Sequence, residues 1–193
     1  ILNILDFATT FQMCVLVRDQ LASTVAEVLD KYWIAWAGVP EMIVFDNGSE
    51  YKGMFKEMAE KISSDLKVIP TESPWQNALV ERHGGVFGEI LNIAVMEQSV
   101  NGLEEMEQAV RHACMAKNRR PGRSGHSPWA MVFGQDERLF ASGLGHYLAQ
   151  PEDASLSIAA TDSYVKKSRA IRAAALKAVI ELDHSDKWAE ACK

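Results

Sequence analysis

The chain has 193 residues, of which 48% are hydrophobic and 24% are charged. This composition is typical of a globular domain and excludes a disordered chain, which would be poorer in apolar residues. The longest apolar runs, such as Met13–Val17, are far shorter than the ~18 residues that a bilayer span needs, so we expect no membrane-spanning protein.

The charge balance also restricts the function. Twenty basic residues against 26 acidic ones give a net charge of −6, which argues against a general polyanion binder. It does not argue against a site where carboxylates hold metal ions. Cys14, Cys114 and Cys192 are widely spaced without a CxxC pair, which predicts neither a disulfide framework nor a zinc site and favours a reducing compartment. Because the chain starts inside an apolar run without Met, we expect a fragment of a longer protein.

Short apolar runs predict strands, and apolar residues at helical spacing predict helices. The predicted strands are 1–5, 11–17, Met42–Phe45 (buried) and Leu66–Ile69. The predicted helices run from a Ser23-Thr24 cap to Ala37, and over Tyr51–Ile62, Ala78–Met96, Leu103–Asn118, Trp129–Phe133 and 162–183. Gly38 is predicted to end the first of these helices, and Ser127-Pro128 and Gly134 are predicted to open and close the helix Trp129–Phe133. The helix 162–183 is Ala-rich and is expected to be exposed or to bind a partner. This order predicts an α/β layer with a mixed sheet.

Three acidic residues occupy informative positions. Asp6 ends the first strand, Asp46 follows the strand Met42–Phe45, and Glu81 lies in the first turn of a long helix. Each alone is ordinary, since Asp forms turns and Glu is favoured at helix N-termini. In α/β sheets, ligands bind beyond the carboxyl ends of parallel strands, so these three carboxylates could converge on one site. Converging carboxylates repel unless hard cations lie between them, which favours two Mg²⁺ or Mn²⁺ ions.

Four sequence strings extend this pattern. Glu81 follows Asp46 by 35 residues. The strings are Ile4–Phe11 with Asp6, Gly38–Tyr51 with Asp-Asn-Gly at 46–48, Ser73–Arg82 with Pro-Trp-Gln-Asn at 74–77, and Gly125–Gly134 with Ser127-Pro128, preceded by Asn118. Together they resemble the D,D-35-E integrases of retroviruses and long-terminal-repeat retrotransposons. The resemblance covers about residues 1–138.

The resemblance implies an RNase H-like three-layer fold, with a five-stranded mixed sheet flanked by helices. It divides the chain into an N-terminally truncated catalytic core (1–138), a linker (139–161) and a helical extension (162–193). The activity implied is metal-dependent 3′-end processing and DNA strand transfer, with Asp6, Asp46 and Glu81 as catalytic residues and ligands of two Mg²⁺ or Mn²⁺ ions. The partners implied are the element's DNA ends, target DNA and further copies of the chain. The location implied is intracellular, in the nucleus or in a cytoplasmic particle.

Six further residues are candidate DNA contacts. Asn47 would orient the site, Gln76 and Asn77 would touch DNA ends, and Trp75 could stack on a base. Arg119 and Arg120 are candidate phosphate contacts. The alternatives are a turn Asn, a Trp anchored in the core and a solvated basic turn.

The chain departs from the family where a basic residue usually faces DNA. Four and seven positions beyond Glu81 it has Gly85 and Gly88, which cannot hold a phosphate. His112 and Cys114 are expected to be buried and not to ligate zinc. Two other functions stay open: a transposase core of bacterial insertion-sequence type, and a decayed or domesticated core that only binds nucleic acid or protein, the latter through its dimer face and the 162–183 helix.

Overall fold

The computed structural model describes residues 1–45, 64–68, 78–122, 125–134 and 163–191. Its strands are β1 (Leu2–Leu5), β2 (Gln12–Val15), β3 (Met42–Phe45) and β4 (Asp65–Val68). Its helices are α1 (Ala22–Leu29), a π-helical turn (Asp30–Ile34), α2 (Ala35–Ala37), α3 (Ala78–Gln98), α4 (Gly102–Arg119), α5 (Pro128–Phe133) and α6 (Ser163–Ala191). The predicted mixed α/β composition is confirmed. The predicted helix Tyr51–Ile62 and the linker 139–161 lie outside the described residues.

Two compact units divide the chain. The first comprises Ile1–Ile4 and Met13–Gly84, and the second comprises Leu5–Gln12 and Gly85–Lys193. In the part of the chain that the structure describes, no helix has the length and apolar character of a membrane span.

The core of the first unit lies between α1 and the strands. Val25 and Leu29 of α1 are buried. Apolar residues pack around them from β1, β3, β4 and the end of the helix: Leu2, Ile4, Ala22, Ala26, Trp33, Ile34, Ile43, Phe45 and Leu66. Gly38 ends the helical segment with φ of +83°, a left-handed conformation that favours glycine, as the sequence predicted.

The start of α1 differs from the prediction. The helix begins at Ala22, before the expected Ser23-Thr24 cap, and neither hydroxyl caps it. Instead the carboxylate of Asp19 accepts hydrogen bonds from the Leu21 amide (3.1 Å) and the Thr24 hydroxyl (2.6 Å). An acidic side chain is favoured at a helix N-terminus because of the exposed amides there, which explains why Asp19 takes this role.

The four described strands form two sheets of two strands each. β1 pairs with β2, and the six residues between them force an antiparallel hairpin. β3 pairs with β4 in parallel, with Met42 opposite Asp65 and Phe45 opposite Val68. One pair is parallel and the other antiparallel, but they belong to separate sheets, so the described strands do not make the expected five-stranded mixed sheet.

The prediction that Met42–Phe45 is buried is right for one face only. Ile43 and Phe45 join the core around α1, whereas Met42 and Val44 are 50% and 49% exposed. The physical reason is the two-residue period of a strand, which turns alternate side chains to opposite faces. A continuous apolar run does not by itself show that both faces are covered.

The second unit is built on long helices. α4 and α6 pack against each other. The face of α6 that is buried carries small and branched apolar residues at helical spacing: Ile171, Ala174, Ala175, Leu176, Ala178 and Val179. Alanine allows two helix backbones to approach closely. The expectation that this helix is exposed or available to a partner is therefore wrong for this face, which is covered within the chain.

Ion pairs connect α6 to the neighbouring helices. Lys167 Nζ lies 3.2 Å from a Glu105 carboxylate oxygen and donates to the Gln98 carbonyl at 2.8 Å. Lys177 Nζ lies 2.7 Å from the Glu97 carboxylate. Exposed pairs of this kind contribute about 0–1 kcal/mol each, so the apolar face supplies most of the attachment.

The short helix α5 confirms its predicted ends. The hydroxyl of Ser127 accepts a hydrogen bond from the Ala130 amide at 3.0 Å, and Gly134 closes the helix with φ of +70°. Its aromatic residues pack on Phe11, whose ring centroid lies 5.8 Å from that of Phe133 and 6.4 Å from that of Trp129.

His112 lies between α4 and α6, where its Nε2 is 2.9 Å from the Ser168 hydroxyl. Burial, together with the neighbouring charges of Arg172, Arg111 and Arg119, lowers the pKa of His112 to about 4. The expectation of a buried His112 is met in part: its side chain is half-buried, and its lowered pKa keeps the imidazole neutral at pH 7.

This pKa predicts a loss of stability in acid. The unfolded chain protonates His112 near pH 6.5 and the folded chain only near pH 4. The free energy of unfolding should therefore fall as the pH decreases from about 6.5 to about 4, by about 2 kcal/mol once solvent screening is allowed for. Urea titrations at several pH values would measure it. His112→Gln should lose this slope, and His184→Gln, at an exposed position of α6, should keep it.

Candidate functional site

Asp6 lies in the turn between β1 and β2. One carboxylate oxygen, Oδ2, accepts hydrogen bonds from the Thr9 amide (2.7 Å) and the Thr9 hydroxyl (2.6 Å). The Asp6 backbone is fixed as well, since its amide donates to the Phe11 carbonyl and its carbonyl accepts from the Thr10 amide, both at 2.9 Å. No described residue hydrogen-bonds the other carboxylate oxygen, Oδ1. Asp6 is therefore held as a turn residue with one oxygen available to a ligand.

Thr10 gives this turn an uncommon backbone conformation. Its φ is +58°, in the left-handed region that β-branched residues rarely adopt. Such a conformation persists only where the surrounding structure fixes it. Here the Thr10 carbonyl accepts a hydrogen bond from Lys117 Nζ at 2.7 Å.

The last turns of α4 hold the segment that follows Thr10. The Asn118 side chain pairs with both backbone groups of Gln12: Oδ1 accepts from its amide at 2.9 Å and Nδ2 donates to its carbonyl at 2.7 Å. The Cys114 thiol donates to the same carbonyl at 3.0 Å. Cys114, Lys117 and Asn118 are three and four positions apart, which puts them on one helix face. One face of α4 thus holds the backbone from Thr10 to Gln12.

Glu81 lies in the first turn of α3 and is exposed. The exposure leaves its carboxylate accessible, and its position in a helix's first turn agrees with the prediction. Asp46, Asn47, Trp75, Gln76 and Asn77 lie outside the described residues. Asp6 and Glu81 belong to different compact units, and the triad stays a prediction.

Both candidate arginines, Arg119 and Arg120, contact other side chains of this chain. Arg119 is 3% exposed, and its guanidinium carbon lies 5.4 Å from the centre of the Trp129 ring. Arg120 pairs with Asp186, and its Nε lies 3.6 Å from a carboxylate oxygen of Asp183. A buried guanidinium stacked on an indole does not face a phosphate in solution. To bind a DNA phosphate, Arg120 would have to release the carboxylates of Asp183 and Asp186 on α6.

The glycines of α3 have room for side chains. A Cβ added at Gly85 or Gly88 would meet no atom within 4 Å among the described residues, and one at Gly84 would meet Asn3 Nδ2 at an ordinary 3.5 Å. Close packing therefore does not require glycine at 85 or 88. Their lack of a basic side chain is a property of the sequence that the fold does not impose.

The described residues contain no group of three His, Cys, Asp or Glu side chains that could hold a metal ion by itself. Asp6 and Glu81 offer hard carboxylate oxygens, which suit Mg²⁺ or Mn²⁺.

Sequence reasoning missed Lys117 as a part of the Asp6 turn. Its spacing from Cys114 and Asn118 was visible, but lysine is almost never fully buried, so nothing in the sequence indicated an inward-facing ammonium.

Comparison with known proteins supports the fold. No protein-family model matches the chain, and no curated protein matches it. The chain is similar to a chain in the cryo-EM structure of the simian T-cell lymphotropic virus intasome in complex with PP2A regulatory subunit B56 gamma, with a TM-score of 0.61 and 18% identity. The match covers 71% of this chain and 48% of that chain, so the chain spans about half the length of the viral one. At this identity the likeness shows a shared fold alone.

Proposed function

We propose that this chain is the catalytic core of a retroelement integrase, with an RNase H-like fold whose sheet has five strands in the complete domain. It trims the 3′ ends of the element's DNA with water and then directs the freed 3′-hydroxyls at phosphodiesters of target DNA. Asp6, Asp46 and Glu81 are the metal ligands and Mg²⁺ or Mn²⁺ is the cofactor. The partners are DNA and further copies of the chain, within a cell nucleus or cytoplasmic particle.

The observation that carries this proposal is the position of the motif residues at element ends. Asp6 directly follows β1, β3 ends at Phe45 immediately before Asp46 in the sequence, and Glu81 is exposed in the first turn of α3. These positions agree with the integrase pattern and support the proposal. The fold likeness to a chain of a retroviral intasome structure agrees with it.

The chemistry of these groups fits divalent cations. Asp6 keeps Oδ1 available because both of its side-chain hydrogen bonds go to Oδ2. Two bound ions would stabilise the attacking and leaving oxygens of a phosphodiester displacement. The chain's own work is to hold the carboxylates rigidly and to align the DNA, since such a displacement needs no covalent enzyme intermediate.

The metal site is tested by calorimetric titration with Mn²⁺. We expect the wild-type chain to bind Mn²⁺, and we expect Asp46→Asn to lose that binding, because a neutral amide replaces a charged ligand oxygen. Asp19→Asn is the control: Asp19 is an exposed aspartate whose carboxylate accepts a hydrogen bond from the Leu21 amide, and it lies outside the motif. Equal affinity in the wild-type chain and Asp46→Asn would contradict the metal assignment.

A second function, a domesticated core that only binds a macromolecular partner, has two specific observations in its favour. Arg119 and Arg120 are buried or paired within the chain, and Gly85 and Gly88 replace basic side chains although there is space for them. Absence of Mn²⁺ binding by the wild-type chain, with and without a short DNA duplex, would favour this function over catalysis.

A further inference from the structure

The turn that carries Asp6 is supported from outside the hairpin. Within the turn, backbone hydrogen bonds join Asp6 to Thr10 and to Phe11. From α4, Lys117 Nζ donates to the Thr10 carbonyl at 2.7 Å. Two consecutive hydrogen bonds through one residue, Thr10, therefore connect the lysine to the backbone of the proposed metal ligand.

The burial of Lys117 distinguishes this contact from an ordinary surface interaction. Lys117 is 4% exposed, and taking an ammonium out of water is costly unless strong acceptors compensate. Its partner is the carbonyl of the one residue of the turn with a left-handed backbone. The interaction is well placed to fix a conformation that threonine would otherwise seldom adopt.

We propose that Lys117 is a positioning residue for the integrase metal site: its ammonium locks the Thr10 carbonyl and so fixes the Asp6 carboxylate in the orientation that binds the cation. Asn118 assists by pairing with both backbone groups of Gln12 at the start of β2. The helix α4, 18 residues long, serves as the rigid support. This inference rests on the proposed function, because it assigns Lys117 a role only if Asp6 is a metal ligand.

The test compares Mn²⁺ binding by Lys117→Met and Lys177→Met. Methionine retains the apolar stem of lysine and removes the ammonium. Lys177 is the control, because its ammonium makes a contact of the same length, 2.7 Å, to the Glu97 carboxylate, but lies far along the chain on α6. Dissociation constants are measured by calorimetry, and the electron paramagnetic resonance spectrum of bound Mn²⁺ reports the symmetry of its ligands. Both are recorded at a temperature where circular dichroism shows every variant fully folded.

We expect Lys117→Met to raise the dissociation constant about tenfold and to change the Mn²⁺ spectrum, as loss of an outer partner of a metal ligand does. Lys177→Met should leave both unchanged. A folded Lys117→Met with wild-type affinity and spectrum would overturn the positioning role while the metal site stands. If Lys117→Met does not fold, Lys117→Gln takes its place with the same expectations. Absence of Mn²⁺ binding by the wild-type chain would overturn the proposed function itself, and this role with it.

Discussion

Glu81→Gln should reduce Mn²⁺-dependent nicking of supercoiled plasmid DNA by about 10³-fold or more, because a metal ligand contributes several kcal/mol to a phosphodiester displacement. The fold should stay intact. Glu81 is exposed in the first turn of α3, and substitutions at such positions change the free energy of unfolding by about 0.5 kcal/mol or less. Gel separation of nicked from supercoiled plasmid gives the rate, and circular dichroism melting gives the stability.

Glu89→Gln is the control for this substitution. Glu89 is exposed on the same helix, two turns further on, and lies outside the motif. It should nick DNA at the wild-type rate. Equal rates for Glu81→Gln and the wild-type chain would contradict the triad assignment, and a reduced rate for both variants would indicate a general effect of charge on DNA binding.

Ile171→Ala should lower the free energy of unfolding by about 2–5 kcal/mol. Ile171 of α6 is fully buried, at 0% exposure, and its truncation removes apolar contact and leaves a cavity between helices that cannot fully collapse. Urea unfolding followed by circular dichroism would measure the change, provided that the slope of the transition is the same for both proteins.

The control for Ile171→Ala is Leu103→Ala. Leu103 is a large apolar residue of α4 that is 68% exposed, and its truncation should change stability by about 0.5 kcal/mol or less. A cost at Ile171 no greater than that at Leu103 would mean that α6 does not pack against α4 in solution. The apolar face of α6 would then be available to a partner, as the sequence had suggested.

Much of the local structure was predictable from the residues. β1, β2 and β4 form near their predicted positions, Gly38 and Gly134 end their helical segments, and Ser127 caps α5. These features depend on neighbours in the sequence: the conformations open to glycine, the hydroxyl of an N-cap and the periodicity of apolar residues. The positions of Asp6 and Glu81 at element ends were predictable for the same reason.

The errors concern contacts between distant parts of the chain. Arg119 and Arg120 formed a basic pair beside a loop, which is typical of a phosphate contact, yet one lies on Trp129 and the other pairs with α6. The partners of a charged side chain are set by which helices pack together. Nothing within a few residues of Arg120 indicated that Asp183 and Asp186 would reach it.

By itself, the sequence determined the order of elements, most of their ends and the integrase-like pattern of Asp6, Asp46 and Glu81. Tertiary structure alone decided that the Ala-rich helix α6 covers α4, that one face of β3 is exposed and that Lys117 is buried on the Asp6 turn. The physical reason is the separation along the chain of the residues that interact. Capping, turn conformation and periodicity act between neighbouring residues, whereas burial of a helix face or an ammonium depends on surfaces that are far apart in the chain and meet only when it folds.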